Sequence, residues 1–193
     1  MWTWVAIDAD TKLVPSWYIG GRTTTDALEF MRDVASRLDA RIQLTTDGHK
    51  MYLTAVPDAF GSEIDYAQLV KIYGTAVGPS TQSAEVRYSP AQCMGARKAV
   101  ISGEPVYEHI STSYTERNNL TMRMQMRRFT RLTNAFSKKV ENHAAAISLH
   151  FMHYNFARIH QTLRITPAMA AGVSDHVWSI EEILALLSKE IRQ

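Results

Sequence analysis

The sequence contains a single cysteine, Cys93, among its 193 residues. One thiol cannot build an intrachain disulfide framework, and it cannot supply a thiolate zinc site. No apolar run approaches the roughly 20 residues that a membrane-spanning helix needs, and the opening segment "MWTWVAIDAD" has no basic leader. We therefore expect a cytoplasmic protein in a reducing compartment, with neither a signal peptide nor a membrane segment.

Acidic residues are nearly missing from residues 109–139, which contain one carboxylate, Glu116, against seven lysines and arginines. Residues 1–75, by contrast, contain ten acidic and seven basic residues. The net charge of the chain is only +2, so the uneven distribution produces a local basic face. Such a face favours an anionic partner such as nucleic acid, because lysine and arginine bind phosphate groups. The alternative is a solvated helix face, which the shortage of compensating acids weakens.

The composition is that of an ordinary globular protein, and its length suits one domain over residues 1–193. Two strand-like runs, "WTWVAI" and "LVPSWYIGG", predict a hairpin. A helix, a strand, a short helical segment broken near Pro57 and another strand follow. This order predicts an α/β fold with a mixed sheet flanked by helices. Residues 74–108 are rich in glycine, proline and serine and show no sustained period, which predicts a long connector or insertion.

The carboxy-terminal part of the chain, from Glu116 onward, has a helical hydrophobic pattern. One apolar stripe consists of Met122, Met126 and Phe129, and a second consists of Val140, Ala144, Ile147 and Phe151. Glu116, Arg123 and Arg127 are expected on another face of the first of these helices. Thr166 before Pro167, and Ser179 three residues before Glu182, are typical of helix amino termini.

Asp47 and Glu116 are the strongest candidates for a functional site. Asp47 precedes a glycine at the expected carboxyl end of a strand, where ligands collect in open α/β sheets. Carboxylate oxygens suit hard divalent cations such as Mg²⁺, and a two-metal site supports phosphodiester chemistry. The spacing alone leaves a plainer interpretation open, in which Asp47 caps a turn and Glu116 pairs with an arginine.

Three segments resemble the DDE transposases of bacterial insertion sequences, specifically the insertion sequence one type. They are "TTDGHKMY" around Asp47, "STSYTERNNLTMRMQMRRFTRLTNAFSKK" around Glu116, and "FMHYNFARIHQTLRITPAMAAG" near the carboxyl end. Glu116 followed seven residues later by Arg123 looks like the glutamate of the family with its basic residue two helical turns on. The resemblance covers most of the chain apart from residues 74–108.

The resemblance implies a ribonuclease H-like core in which Asp47 and Glu116 bind two Mg²⁺ ions, with Mn²⁺ as an alternative ion. It implies transposition, in which water and then a DNA 3′ hydroxyl attack phosphodiesters. The implied partners are double-stranded DNA, at the element ends and the target, and further copies of the chain in a homo-oligomer. The residues expected to contact DNA are Lys50, Arg123, Arg127 and Arg128.

The first acid of the family motif is the point of departure. In the family it lies on a strand upstream of the segment that corresponds to "WTWVAIDADTKLVPSWYIGGRTT", and we find no such strand in this sequence. One hypothesis places Asp8 at the turn end of the hairpin, and the competing hypothesis takes Asp8 as the first catalytic acid. The former predicts a transposase truncated at its amino terminus, without the first strand of the fold and with two of three metal ligands. Such a chain would be inactive alone. The alternative function is that of an inactive truncated remnant that binds DNA or a full-length transposase, whereas the first hypothesis is a transposase catalytic domain, complete or truncated.

Overall fold

The structure, a computed structural model, describes residues 1–74, 93–130, 134–135 and 137–190. Two compact units make up the chain, which we name the hairpin unit (Met1–Gly21 with Ser113–Gln193) and the sheet unit (Arg22–Thr112). The described elements are, in chain order, β1 (Trp2–Ala6), β2 (Ser16–Gly20), α1 (Thr24–Ala35), β3 (Ile42–Asp47), α2 (Tyr52–Phe60), β4 (Ile64–Tyr73), β5 (Cys93–Ser102), α3 (Ser113–Gln125), α4 (Val140–Met152), α5 (Pro167–Ala170) and α6 (Ile180–Glu190). The expectation of one domain over residues 1–193 stays a prediction.

The sheet unit contains a three-stranded mixed sheet in the order β3-β4-β5. β3 and β4 are parallel, with Asp47 opposite Leu69, and β5 runs antiparallel to β4. Helix α2 connects the two parallel strands, and α1 packs against α2. Each helix buries an apolar stripe, which consists of Ala27, Phe30, Met31 and Val34 in α1 and of Ala55 and Val56 in α2. The prediction of an α/β fold with a mixed sheet flanked by helices is confirmed.

Helix α2 continues through Pro57, so the predicted break near this residue is wrong. A proline inside a helix lacks the N–H that would bond the carbonyl four residues earlier. Ala55 and Val56, immediately before it, are fully buried. Burial of these two side chains offsets the missing hydrogen bond, and a sequence pattern cannot weigh the two effects against each other.

Part of the predicted connector at residues 74–108 is the ten-residue strand β5, which corrects the sequence interpretation for residues 93–102. β5 pairs with β4 from Tyr73 opposite Cys93 to Tyr66 opposite Ser102. Most β5 side chains are exposed, on both faces of the strand. The sequence of β5 therefore shows no alternation of apolar and polar residues. Residues 75–92 of the connector lie outside the described residues.

The hairpin unit begins with the predicted hairpin, in which β1 and β2 are antiparallel from Trp2 opposite Gly20 to Ala6 opposite Ser16. Pro15 immediately precedes β2, as expected of a residue that cannot donate to a ladder. The hairpin packs on α3 and α4 through one apolar cluster. The cluster comprises the buried residues Val14, Met122, Ile147, Phe151 and Tyr154 and the partly buried Val5, Ile7, Trp17, Ile19, Met126 and Phe129.

Helix α3 ends at Gln125, earlier than its apolar stripe predicts. Met126 has an extended backbone, and Arg127–Phe129 form one 3₁₀ turn. Met122, Met126 and Phe129 nevertheless share the apolar cluster, so the stripe was correctly identified as core although its last residues are not α-helical. Arg127 consequently does not lie on the α3 face that carries Glu116, and that prediction is wrong.

The predicted helix starts near the carboxyl end are confirmed. The Thr166 hydroxyl accepts a hydrogen bond from the Met169 N–H, and Pro167 is the first residue of α5. Ser179 and Glu182 each bind the backbone N–H of the other, which is a capping box. Among the described residues, no helix combines the length and the apolar character that crossing a bilayer demands.

One buried side chain connects the two chain segments that form the hairpin unit. Asn155, in a π-helical turn over His153–Ala157, accepts a hydrogen bond from the Val14 N–H at 3.0 Å. Its Nδ2 donates to the Val14 carbonyl at 2.9 Å. Val14 and Asn155 are both buried, so these bonds satisfy polar groups that water does not reach.

We expect Asn155→Ala to lower the free energy of unfolding by about 2–4 kcal/mol, because each backbone group left buried and unpaired costs roughly 1–3 kcal/mol. Asn142→Ala, on the exposed side of α4, is the control and should change stability by less than about 0.5 kcal/mol. Urea unfolding followed by far-UV circular dichroism measures both variants. Equal stabilities would contradict the role given to Asn155.

Gly103, directly after β5, requires a glycine for two reasons. Its φ is +67°, and a Cβ at this position would lie 2.9 Å from the Ile64 carbonyl oxygen. It would also meet the Asp65 carboxylate, which binds the Arg41 guanidinium at 2.7 Å and the Glu104 N–H at 2.8 Å. These bonds, above all the one from Arg41, lower the pKa of Asp65 to about 2. These contacts therefore hold the turn after β5 against the start of β4.

Gly103→Ala should destabilise the sheet unit by about 1–3 kcal/mol, through left-handed backbone strain and the backbone contact. Gly95→Ala is the matched control, since a Cβ at Gly95 has no neighbour within 4 Å. Thermal unfolding of the two variants should separate them clearly. A destabilised Gly95→Ala protein, or an unchanged Gly103→Ala protein, would contradict this account of the turn.

Candidate functional site

Asp47 lies at the carboxyl end of β3, as the sequence predicts, and its side chain is exposed. Its Oδ1 accepts a hydrogen bond from the His49 N–H at 3.0 Å, so Asp47 also opens a turn. Directly before it, a buried polar network fixes the strand end. The Thr46 hydroxyl and the Tyr66 hydroxyl are 2.9 Å apart, and Gln68 Nε2 donates to the Tyr66 hydroxyl at 2.9 Å.

The turn after Asp47 packs closely on β4. A Cβ at Gly48 would lie 3.1 Å from both methyl groups of Val70, so this position favours the smallest residue. Tyr52 is the first residue of α2. Burial raises the pKa of its phenol far above the ordinary value, and the negative charge of Asp47 contributes a smaller part of this rise. Lys50, three residues after Asp47 in the chain, is exposed. The turn thus exposes one acidic side chain, Asp47, and one basic side chain, Lys50, to solvent.

Glu116 lies in the first turn of α3, where the helix dipole favours a negative charge. Arg123 follows seven residues later in the same helix, which is about two turns, so both side chains share a face. Both are exposed. Glu116 and Arg123 therefore lie on one face of one continuous helix, as the sequence predicts.

The two arginines after α3 differ in their surroundings. Arg127 is exposed in the 3₁₀ turn. Arg128 Nη1 donates to the Asn142 carbonyl at 2.8 Å and to the Ser137 hydroxyl, so its guanidinium connects this turn to α4. Arg128 consequently has a structural contact that the sequence pattern did not indicate.

Asp8 has the hydrogen bonds of a turn-forming residue. Its Oδ1 accepts from the Asp10 N–H at 3.1 Å, and its Oδ2 accepts from the Thr11 N–H at 3.3 Å and from the Thr11 hydroxyl. Its backbone N–H also donates to the Leu13 carbonyl. These contacts support the hypothesis that Asp8 forms the end of the hairpin.

The predicted site residues are divided between the two units. Asp47 and Lys50 belong to the sheet unit, whereas Asp8, Glu116 and the arginines belong to the hairpin unit. Among the described residues, no three histidine, cysteine, aspartate or glutamate side chains form a cluster that could hold a metal ion. The metal site shared by Asp47 and Glu116 stays a prediction.

A cationic pocket of about 370 Å³, which the sequence does not predict, lies within the hairpin unit. Its positively charged lining residues are Lys12 from the hairpin loop, Arg117 from α3 and Arg158 from the segment after α4, and the ionisable His160 follows in the same segment. None of its lining residues is acidic. The only sequence signal was the run "YNFARIH", which belongs to the third segment of family resemblance.

The electrostatics of the pocket follow from its lining. Burial lowers the pKa of His160, and the positive charges of Lys12, Arg158 and Arg117 lower it further. The Lys12 ammonium lies 4.0 Å from the centre of the Tyr114 ring, a cation–π contact that holds the amine at the pocket. The imidazole is therefore neutral near pH 7, and the positive charge of the pocket comes from its lysine and arginines.

Two buried polar groups in the pocket lack hydrogen-bond partners within the described part of the chain. Asn118 is 3% exposed, and neither its Nδ2 nor its Oδ1 makes a hydrogen bond. Burial raises the pKa of the nearby Tyr154 phenol, and Asn118 lowers this pKa in part. The two side chains are nevertheless not in ordinary hydrogen-bond geometry. The Nδ1 of His160 is likewise buried and unpaired.

We expect the pKa of His160, measured by NMR titration, to lie below 6.5 and to rise toward that value in Arg158→Gln. Removing this guanidinium removes one of the charges that oppose protonation of the imidazole. Arg164→Gln is the matched control, because Arg164 follows in the same segment but does not act on the pKa of His160. A pKa that stays the same in Arg158→Gln would contradict the described field.

Residues 95–157 match the family model of the IS1 transposase. No curated protein and no solved structure matches the chain. The matched region covers about a third of the chain and contains β5, α3 and α4, with both Glu116 and Arg123. The match agrees with the resemblance drawn from the sequence: residues 95–157 are similar to the IS1 transposase family.

Proposed function

We propose that this chain is the catalytic region of a DNA transposase, which cuts phosphodiesters at the ends of an insertion sequence and joins them to target DNA. The observation that carries the proposal is the family match over residues 95–157, because this segment contains Glu116 in the first turn of a helix. The proposed core is ribonuclease H-like. The succession of an antiparallel hairpin, a helix and two parallel strands joined by a helix supports it.

The proposed metal ligands are Asp47 and Glu116. Both are exposed carboxylates, and their oxygens are the donors that Mg²⁺ and Mn²⁺ prefer, so the donor chemistry fits. When bound, the metal supplies an activated oxygen nucleophile and stabilises the leaving oxygen. The protein's own contribution is position, since Asp47 is fixed by the His49 N–H and Glu116 by its helix.

The proposed DNA contacts are Lys50 of the sheet unit and Arg123, Arg127 and Arg128 of the hairpin unit, all of them exposed. Their positive charges would bind backbone phosphates and bring the DNA next to the carboxylates. Arg128 would serve mainly by connecting its turn to α4. Because transposition acts on two ends of one element, we propose a homo-oligomer of at least two copies.

The second candidate function is DNA binding without catalysis, as an inactive remnant that acts alone or with a full-length transposase. The observation that favours it is the set of turn hydrogen bonds around Asp8, which make this residue a poor third metal ligand. Two carboxylates alone bind a divalent cation more weakly than three.

Strand transfer with DNA that carries the terminal repeats of the element, in the presence of Mg²⁺, tests the proposal. Glu116→Gln and Asp47→Asn should each lower the rate at least about 100-fold, because the metal's share of transition-state stabilisation is worth several kcal/mol. Glu141→Gln is the matched control, an acid in the first turn of α4, and should keep full activity. Asp8→Asn should remain active as well.

Strand transfer that survives Glu116→Gln would remove Glu116 from the mechanism. Loss of activity in a folded Asp8→Asn protein would make Asp8 a ligand. A wild-type chain that binds the same DNA but never cuts it, with either Mg²⁺ or Mn²⁺, would favour the second function.

A further inference from the structure

The cationic pocket of the hairpin unit has an excess of positive charge without an acidic partner, although the Lys12 ammonium donates a hydrogen bond to the Ala9 carbonyl and lies over the Tyr114 ring. Lys12, Arg117 and Arg158 converge on it with no acid in the lining. Within the described residues, no salt bridge joins any of these three side chains to a carboxylate. Charges of one sign in a concave site raise the local concentration of ions of the other sign. The pocket therefore suits an anion.

The buried amide of Asn118 points to more than a simple anion. A buried polar group without a hydrogen bond costs free energy, so an unpaired amide in a natural protein calls for an explanation. An amide offers one acceptor and two donors in one plane, which matches the edge of a nucleobase and not the spherical charge of phosphate. The ligand is thus expected to have a planar polar part as well as a negative charge.

The size and the remaining lining agree with such a ligand. A volume of about 370 Å³ is at the lower end of small-molecule sites, which are roughly 300–1,000 Å³. Tyr114 is 41% exposed at the pocket, and the ring face that the Lys12 ammonium does not cover offers an aromatic surface, on which bases stack irrespective of their identity. The pocket fits one nucleotide and is too small for a duplex.

We propose that this pocket binds a single nucleoside monophosphate unit, with its phosphate on Lys12, Arg117 and Arg158 and its base edge on Asn118. The unit is either a free nucleotide or a nucleotide turned out of a DNA strand, and the two share this chemistry. Only the second source rests on the proposed function. Neither of the proposed metal ligands, Asp47 and Glu116, lines the pocket.

The first test is calorimetric titration with deoxyadenosine monophosphate in the absence of metal. We expect saturable binding, and binding at least tenfold weaker for both deoxyadenosine and inorganic phosphate, which each lack one half of the ligand. In NMR, the nucleotide should shift the signals of His160. Absence of binding, or phosphate that binds as tightly as the nucleotide, would overturn the proposal.

Asn118→Leu separates a binding role from a structural role. An apolar side chain of similar shape replaces an unsatisfied amide, so the midpoint of thermal unfolding should stay the same or rise. Binding of the nucleotide should weaken at least tenfold, while binding of inorganic phosphate stays unchanged. Unaltered nucleotide binding in this variant would overturn the assignment of the base edge.

Arg158→Gln provides an independent variant if Asn118→Leu fails to fold. It should weaken nucleotide and phosphate alike, whereas Arg164→Gln should weaken neither. Equal effects of the two substitutions would contradict a phosphate position on Arg158.

DNA duplexes identify the source of the nucleotide. If it comes from a strand, a duplex with one extrahelical adenosine binds more tightly than the fully paired duplex, and Asn118→Leu removes the difference. Equal affinity excludes this source. The doubly substituted Asp47→Asn, Glu116→Gln protein should still bind the mononucleotide although it lacks strand transfer. Failure of the pocket and failure of the proposed catalysis are thereby distinguishable.

Discussion

The side-chain amide of Asn155 connects segments that are 141 positions apart in the chain, by binding both backbone groups of Val14. Val14 leads into β2 and Asn155 follows α4, so the contact fixes the hairpin against the helices while the apolar cluster fills the space around it. Lys12 lies two residues from one end of this contact, and Arg158 lies three residues from the other. The same two hydrogen bonds therefore help to hold together the two segments that contribute Lys12 and Arg158 to the cationic pocket.

Features determined by neighbouring residues could be predicted from the sequence. β3 ends at Asp47 as expected, because a short buried run followed by Asp-Gly is a local signal, and the helix start at Thr166 depends on adjacent residues. β5 was missed, since a strand exposed on both faces has no periodicity. The end of α3 before Met126 was missed as well, because the apolar cluster accepts that side chain from an extended backbone.

The predicted site and the observed pocket differ in how far each could be inferred. Glu116 and Arg123 are close in sequence, and a helical period places them on one face. The cations of the pocket come from a loop, a helix and the segment after another helix, so no spacing rule connects them. The lone acid among many bases indicated an anionic partner. It could not indicate that Arg117 and Arg158 face a cavity without any carboxylate.

The π-helical turn over His153–Ala157 carries a hydrogen bond from the Arg158 N–H to the His153 carbonyl, five residues back. This turn contains one residue more than α-helical geometry requires, and each residue of a helix advances the chain by about 100°. Deleting one residue here would restore regular helix but rotate everything beyond it relative to Asn155. The length of this turn is thus constrained in addition to the identity of Asn155, because both place the side-chain amide opposite Val14.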